Sequence, residues 1–182
     1  MTEQEIITEL LELREEFKSV EKLPGAKTVY LASPWFDDQQ ARLLLNSYYA
    51  LLQNPTIGHI HVPLLNQYKG QVLSLGNSTL SPDEKYEWAV NTYSADINAI
   101  RNSDLTIALE TPTNVDTGTS FEMGATIGMN KPLIALFNED INKVAVNLME
   151  SFGVTYYTTE VDELVTIDVR SIPTKRFDGM II

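Results

Sequence analysis

Short apolar runs alternate with longer segments of helical periodicity along most of this chain. The apolar runs are rich in β-branched residues and are bounded by loop formers, which is typical of buried strands. They cover residues 27–36, 57–64, 104–110, 131–137 and 154–158. Strands that alternate with helices form a parallel sheet with helices on both faces. The sequence therefore predicts an α/β fold with a doubly wound, flavodoxin-like sheet of five parallel strands.

Helical periodicity fills the intervals between these runs, and it also precedes the first of them. Thr2 and Glu5 form a capping box at the start of an amphipathic segment that continues until Pro24 and Gly25. We interpret residues 1–24 as a helical extension that packs on its own domain, and residues 25–182 as that domain. A length of 182 residues suits one domain with a proper core.

The amino-acid composition indicates which kinds of partner the protein is expected to bind and in which compartment we expect it. The hydrophobic content is 43%, and no apolar run approaches the ~20 residues that span a bilayer, so we expect no membrane insertion. The net charge of −12 argues against a nucleic-acid polymer as ligand, because lysine and arginine supply most affinity for phosphates. The chain has no cysteine, and its acidic N-terminus does not resemble a secretory signal, so we expect a cytoplasmic protein.

Several polar side chains lie at or just after the predicted carboxyl ends of strands. They are Tyr30, Ser33, Gln67, Asp116 and Glu122. Ligands of doubly wound sheets bind outside these strand ends. A polar loop at residues 67–84 is also long enough to suggest a function. The sequence therefore predicts a binding site at this edge of the sheet.

Glu122 is the carboxylate that this arrangement singles out. Residues 104–128 read as strand, polar loop and helix entry, with Ser120 or Thr119 as the predicted N-cap. That cap would place Glu122 in the first helical turn, where the helix dipole favours an ionised side chain. An anion held there can act as a nucleophile, although a first-turn acid is also a common capping device.

A second carboxylate, Asp96, lies near the end of the helix predicted at residues 82–101. We expect the apolar stripe of this helix to be buried; its members are Tyr86, Val90, Tyr93, Ile97 and Ile100. Asp96 flanks the stripe, so its side chain either turns toward a cleft or is solvated. The sequence pattern leaves both alternatives open.

Motifs for cofactors and metals are missing from the sequence. No phosphate-cradling G-x-x-x-x-G-K-[ST] occurs, and no G-x-G-x-x-G follows the first strand, so no nucleotide cofactor is indicated. His59 and His61 alternate along one strand without a third histidine, which argues against a metal site. No G-x-S-x-G elbow supports a catalytic serine.

The remaining candidates for a chemical role are carboxylates and neutral hydrogen-bonding groups. They are Asp96, Asp116 and Glu122, with Tyr30, Asn66 and Gln67. Such a set suits glycosidic chemistry without a cofactor, in which one carboxylate attacks the anomeric carbon and a second acid handles the leaving-group proton.

Five motifs in order resemble those of the nucleoside 2-deoxyribosyltransferases. They read LASPWFDDQQ, NPTIGHIHVPLLNQYKG, WAVNTYSADINAI, VDTGTSFEMGATIGMNKP and VNLM. The resemblance runs from about Lys27 to Asp178 and leaves out the N-terminal helix. It implies transfer of 2-deoxyribose between nucleobases through a covalent deoxyribosyl-enzyme, without a cofactor.

The resemblance also implies roles for individual residues. Glu122 matches the nucleophile that attacks C1′, and Asp96 matches the acid that exchanges a proton with the departing and incoming bases. Asp116 matches a residue that binds sugar hydroxyls. Tyr30 matches the residue that orients the nucleophile, and Gln67 matches a nucleobase contact.

Asn147 and Met149 match a segment that a neighbouring subunit inserts over the deoxyribose. The resemblance therefore implies a homo-oligomer, hexameric or smaller, with shared active sites that take deoxynucleosides and free nucleobases. An apolar wall such as Met149 near C2′ is expected to favour deoxyribose over ribose.

Some sequence features do not match one branch of the family consistently. The ASP at residues 32–34 resembles a branch that prefers purines, whereas NQYKG resembles one that accepts purines and pyrimidines. The final residues, RFDGMII, lack the terminal aromatic residue of relatives. Two alternative functions are a hydrolase of deoxynucleoside 5′-monophosphates and a non-catalytic oligomer that binds nucleosides.

Overall fold

The computed structural model describes residues 1–70 and 80–182, and a five-stranded sheet forms its centre. The strands are β1 (Lys27–Ala32), β2 (Ile57–His61), β3 (Leu105–Glu110), β4 (Leu133–Phe137) and β5 (Tyr156–Thr158). They are all parallel and lie in the order β2-β1-β3-β4-β5. The predicted doubly wound α/β fold is confirmed. Part of the predicted polar loop, residues 71–79, lies outside the described residues.

Helices cover both faces of this sheet. They are α1 (Glu3–Glu16), α2 (Asp38–Gln53), α3 (Pro82–Asn102), α4 (Thr117–Gly128), α5 (Leu148–Gly153) and α6 (Glu163–Thr166), with 3₁₀ turns at Pro63–Asn66 and Tyr68–Gly70. None of the helices in the described part of the chain is both long and apolar enough to cross a bilayer.

Alternate residues of the strands enter two separate cores. Leu105, Ile107 and Leu109 of β3 join a cluster that contains residues of α1, α2 and α6. Ala108 of the same strand, with Tyr30 of β1, joins a second cluster under α3 and α4. The candidate site therefore belongs to the α3 and α4 face.

The N-terminal helix is shorter than predicted. The capping box of Thr2 and Glu5 is present, but α1 ends at Glu16 and not near residue 23. Leu23 beyond it donates its backbone N–H to Pro55 O, which holds the chain against the loop after α2 and so ends the helix early. Ile6 and Leu10 are buried in the core, so α1 packs on its own domain.

The helix between β4 and β5 is short, because the chain before it is held in other conformations. The chain turns at Lys143, whose N–H bonds to Asp140 O. Val146 and Leu148 donate to the backbone oxygens of Met180 and Ile182, and these bonds hold residues 146–148 extended. The helix α5 therefore begins only at Leu148.

The predicted burial of the α3 stripe is wrong for its first half. Ile100 is buried, but Tyr86 is 73% exposed, Tyr93 is 57% exposed and Val90 is also exposed. Only the C-terminal end of α3 lies over the sheet, since the apolar cluster on that face includes Ile97, Ala99 and Ile100. The periodicity indicated a helix correctly, but the described residues do not cover Tyr86, Val90 and Tyr93.

Candidate active site

Tyr30 and Glu122 form the central contact of the site. The fully buried Tyr30 lies on the inner strand β1, and its hydroxyl donates a 2.5 Å hydrogen bond to Glu122 Oε1. This bond links the strand to the helix α4. The buried Tyr30 hydroxyl therefore holds the side chain of Glu122, the candidate nucleophile, in place above the sheet.

Asp116, and not Ser120 or Thr119, is the N-cap of α4. Asp116 Oδ2 accepts hydrogen bonds from Thr119 N at 2.7 Å and from Thr119 Oγ1 at 2.9 Å. A side chain at Gly118 would approach this oxygen to 3.0 Å, so glycine suits the capped turn. The helix starts at Thr117, which places Glu122 in the second turn and not in the first as predicted.

Two threonines hold the backbone of Glu122 over the sheet. Thr126 Oγ1 lies 2.9 Å from Glu122 O and 2.7 Å from Thr106 Oγ1 on β3. Both threonines are fully buried. This chain of hydrogen bonds fixes the distance between α4 and the central strand, so the Glu122 side chain is held from its backbone as well as by Tyr30.

The net pKa of Glu122 is raised to about 8, chiefly by burial and to a smaller extent by Asp96 and Asp116, against the Tyr30 hydrogen bond, which lowers it. Burial therefore opposes the ionised state of Glu122 that the helix dipole was expected to favour. Desolvation outweighs the helix dipole at this position, because Glu122 lies beyond the first turn. Burial and the charge of Glu122 raise the pKa of Tyr30 well above its ordinary range, so the phenol stays a proton donor.

Asp96 turns toward the cleft. Its side chain is 18% exposed, and its Oδ1 atom is buried without a hydrogen-bond partner among the described residues. His61 Nε2, at the end of β2, lies 3.9 Å from this oxygen. Asp96 is close enough to influence the pKa values of both Glu122 and Tyr30. The structure thus selects the cleft over the solvated alternative.

Asp116 caps helix α4 and also acts electrostatically on neighbouring acids. One of its oxygens caps α4, and no described residue donates a hydrogen bond to the other. Its charge acts on Glu122 and on Glu110, whose pKa rises through burial, Glu150 and Asp116. Asp116 therefore lies in the same acidic site, and its second carboxyl oxygen accepts no hydrogen bond from the described residues.

Gln67 lies on the segment that follows β2. Its Nε2 donates to Pro63 O at 3.3 Å, and the next residue, Tyr68, bonds through its N–H to Thr92 Oγ1 on α3. The segment therefore packs on the helix that carries Asp96. No hydrogen bond between described residues links Gln67 to Glu122 or Asp96, so its nucleobase contact stays a prediction.

Asn147 and Met149 lie elsewhere in the protomer. Asn147 is the N-cap of α5, with Oδ1 accepting from Met149 N at 2.9 Å, and Met149 is 77% exposed. Both line a groove of about 520 Å³ on α4, together with Ser120, Met123, Gly124, Ile127, Gly128 and Glu150. The structure does not bring them to Glu122 of the same chain.

His59 and His61 do not converge on a metal. His59 is exposed, whereas His61 is half-buried and its ring stacks on Tyr30. Across residues 1–70 and 80–182, no three histidine or acidic side chains are grouped as ligands for an ion. The neighbours of His61 are therefore the site residues Tyr30 and Asp96.

Sequence reasoning missed two residues of this site, His61 and Glu110. Both lie at the carboxyl ends of strands, the same rule that selected Tyr30. Glu110 is only 1% exposed, and both of its carboxyl oxygens lack a partner among the described residues. An acid that ends an otherwise apolar strand was the available signal for Glu110, and a histidine beside a proline turn was the signal for His61.

Comparisons with known proteins agree with this geometry. Residues 29–161 match the family model described as nucleoside 2-deoxyribosyltransferase. A nucleoside deoxyribosyltransferase of Lactobacillus leichmannii is 33% identical over 147 residues, covering 76% of this chain and 87% of that protein. One from Limosilactobacillus fermentum is 32% identical over 135 residues, with 72% and 79% covered.

A solved structure shows the same fold. The 2-deoxyribosyltransferase from Bacillus psychrosaccharolyticus aligns with a TM-score of 0.66 and 24% identity, over 82% of this chain and 98% of that one. The family match spans the strands and helices that carry Tyr30, Asp96, Asp116 and Glu122. The chain therefore belongs to the nucleoside 2-deoxyribosyltransferase family of enzymes.

Proposed function

We propose that this protein transfers 2-deoxyribose between nucleobases by a retaining double displacement through a covalent deoxyribosyl-Glu122 intermediate. One observation supports the proposal above all. Glu122 is hydrogen-bonded by Tyr30 and lies within electrostatic reach of Asp96 and Asp116, so a nucleophile and two further carboxyl groups share one site. Family membership supplies the sugar-transfer chemistry.

The two displacements have balanced steps. A Glu122 carboxylate oxygen forms a bond to C1′ while the C1′–N bond breaks, and Asp96 gives a proton to the departing base. The incoming base then attacks C1′ from the opposite side, releases Glu122 and returns a proton to Asp96. Two inversions retain the anomeric configuration. Tyr30 remains a donor to the glutamate throughout and positions the attacking oxygen.

Asp116 is assigned to the sugar hydroxyls in this proposal. One carboxyl oxygen is held by Thr119, so the side chain is oriented before the ligand binds. Glu110 and Glu150 lie near enough to Asp116 that all three act electrostatically together. A neutral hydroxyl fits such a group of acids better than a phosphate, because like charges repel.

Shared sites between subunits complete the proposal. The rings of Tyr93 on α3 and Phe121 on α4 lie 6.2 Å apart, and both are exposed. Leu148, Met149 and Phe152 of α5 are exposed as well. An apolar surface of this extent is typical of a protein interface. We assign it to a second copy of the chain, whose Asn147 and Met149 would contact the deoxyribose at Glu122.

A base-exchange assay tests the function. The protein is incubated with deoxyinosine and cytosine, and the expected product is deoxycytidine. Glu122→Ala is expected to lower the rate by a factor of 10³ or more while the thermal unfolding profile is kept, because the nucleophile is lost. Glu12→Gln, an exposed residue of α1, is the matched control.

Each alternative result of this assay would support a different function. Exchange by Glu122→Ala at the parental rate would contradict the nucleophile assignment. Release of free base from deoxynucleoside 5′-monophosphates, without exchange, would identify a hydrolase. Calorimetric binding of nucleosides without any turnover would identify a non-catalytic binding protein.

A further inference from the structure

His61 is held beside the proposed acid by contacts on two sides. Its ring stacks on Tyr30 with centroids 5.4 Å apart and planes 13° from parallel. Its Nε2 lies 3.9 Å from Asp96 Oδ1. Within the part of the chain that the structure describes, both atoms are buried and neither has a hydrogen-bond partner. Two complementary polar atoms therefore face each other across a gap about 1 Å longer than a hydrogen bond.

Buried polar atoms without partners are unusual in folded proteins, and each requires an explanation. The two atoms do not belong to freely moving surface side chains, because the His61 and Asp96 side chains are only 17% and 18% exposed. Catalytic hydrogen bonds are often long in free enzymes and shorten when the substrate binds. A hydrogen bond donated from His61 Nε2 to Asp96 Oδ1 would close the gap.

We propose that His61 is a positioning residue for Asp96, donating a hydrogen bond from Nε2 to Asp96 Oδ1 while the nucleobase leaves. This inference rests on the proposed function, because it concerns the proton that Asp96 gives to the base. His61 acts through Asp96, and it forms no bond to the substrate.

The proton balance shows when the contact matters. As the C1′–N bond breaks, a proton moves from Asp96 to the departing base, and Asp96 becomes a carboxylate. That new charge lies near Glu122, which by then is neutral as an ester. An N–H donor at Nε2 stabilises the carboxylate until the incoming base returns the proton. Hydrogen bonds to a charged group are stronger than those between neutral groups.

The surroundings of the imidazole leave few other partners. Tyr30 of β1 lies against its ring, and Asp96 of α3 lies beside its Nε2 atom. Glu122 lies beyond the Tyr30 hydroxyl. The stack on Tyr30 restrains the plane of the ring, and Nε2 needs to move by only about 1 Å to reach hydrogen-bond distance of Asp96 Oδ1.

Two substitutions separate stacking from hydrogen bonding. His61→Phe keeps an aromatic ring against Tyr30 but removes Nε2, whereas His61→Gln keeps a terminal N–H donor without the ring. We expect His61→Phe to lower kcat by about 10- to 100-fold with little change in KM, as a fraction of the 10²- to 10⁴-fold effect of a general acid. His61→Gln is expected to recover part of this loss. His59→Gln, exposed on the same strand, is the matched control and should behave as the parent.

A double-mutant cycle with Asp96→Asn decides whether His61 acts through Asp96. In the Asp96→Asn background, His61→Phe is expected to have no further effect on kcat, because the carboxylate to be stabilised is gone. Equal losses in both backgrounds would overturn the proposal, as would a parental kcat for His61→Phe. Thermal unfolding of every variant shows whether a loss arises from misfolding.

A measurement without turnover keeps the inference separate from the proposed function. The ¹⁵N resonances of the His61 imidazole are compared between the parent and Asp96→Asn, each with a saturating nucleobase. We expect the Nε2 resonance to move with the substitution and the His59 resonances to stay. An unmoved Nε2 resonance overturns the pairing, even in an active enzyme. A moved resonance in a protein that transfers no sugar would instead support the pairing and reject the proposed function.

Discussion

Tyr30 on the buried strand β1 donates a 2.5 Å hydrogen bond to Glu122 on α4. The two residues are 92 positions apart in the sequence, so the contact exists only after the sheet and its covering helix have assembled. The bond lowers the pKa of Glu122, while burial, Asp96 and Asp116 raise it, and the net result is a value of about 8. The reactivity of the proposed nucleophile therefore depends on a balance between one hydroxyl and a buried acidic environment.

Replacing that hydroxyl gives the first prediction. Tyr30→Phe removes the group that favours the Glu122 carboxylate, so the pH midpoint of kcat/KM should move upward and the rate at pH 7 should fall by about 10-fold or more. Tyr86→Phe, on an exposed ring, is the matched control. A pH profile that is the same for Tyr30→Phe and the parent would show that the contact does not tune Glu122.

The parent enzyme itself should show a rising pH profile. A raised acid pKa means that Glu122 holds its proton below about pH 8 and becomes a nucleophilic carboxylate above it. The value of kcat/KM reports the free enzyme, so it should increase between pH 6 and pH 8 before other groups limit it. Initial rates of base exchange over this range provide the measurement. A flat or falling profile would contradict the protonated resting state.

Glu110 predicts a dependence of stability on pH. Burial, Glu150 and Asp116 raise its pKa from 4.5 to about 8, so the folded protein keeps a proton that the unfolded chain releases between these values. The stabilising contribution is complete below pH 4.5 and is lost as the pH rises toward 8. Each such group gives the free energy of unfolding a negative slope of up to about 1.4 kcal/mol per pH unit.

Glu110→Gln should reduce this slope, leaving the part that Glu122 contributes. Urea unfolding at several values between pH 5 and pH 8 measures it, with Glu12→Gln as the exposed control. Equal slopes in the parent and in Glu110→Gln would mean that Glu110 titrates alike in the folded and unfolded chains.

The proposed sharing of active sites between subunits predicts that two inactive variants rescue each other. Glu122→Gln lacks the nucleophile, and Asn147→Ala lacks a residue that we assign to the neighbouring subunit's site. After co-refolding, mixed oligomers contain some sites with both native residues, so a substantial fraction of parental activity should return. Size-exclusion chromatography with light scattering confirms that the mixture is assembled. No recovery in assembled mixtures would place Asn147 outside the neighbour's site.

The role of Asp96 predicts a dependence on the leaving group. Asp96→Asn should slow transfer from nucleosides whose base must be protonated by about 10²- to 10⁴-fold. Substrates with a leaving group that needs no proton should be affected much less. Single-turnover rates for the two kinds of substrate separate this effect from binding. Equal losses for both kinds would indicate that Asp96 serves another purpose.

Local sequence patterns predicted most of the fold because the chain places turn residues and caps where its strands and helices end. Asp37 caps α2, Ser81 caps α3 with Glu84, and buried β-branched runs form the central strands. The choice of N-cap for α4 failed because Asp116, Thr119 and Ser120 are all good capping residues. Only the geometry of the turn shows that Asp116 forms the cap.

The site was predicted less completely than the fold, for a physical reason. The ionisation of Glu122 depends on burial under α3 and on Asp96 and Asp116, which are distant from it along the chain or across a turn. Tyr86, Val90 and Tyr93 of the α3 stripe are exposed in the described part of the chain, as is Met149. Periodicity reports which residues are apolar, but it does not report whether another surface covers them.

Trapping of the intermediate tests the central claim most directly. The protein is mixed with a deoxynucleoside in the absence of an acceptor base, quenched in acid, and analysed by intact and peptide mass spectrometry. Our account predicts a mass increase of one deoxyribosyl group on the peptide that contains Glu122, and no such increase in Glu122→Gln. Base exchange by an enzyme that never carries this adduct, or that carries it on another residue, would contradict the account.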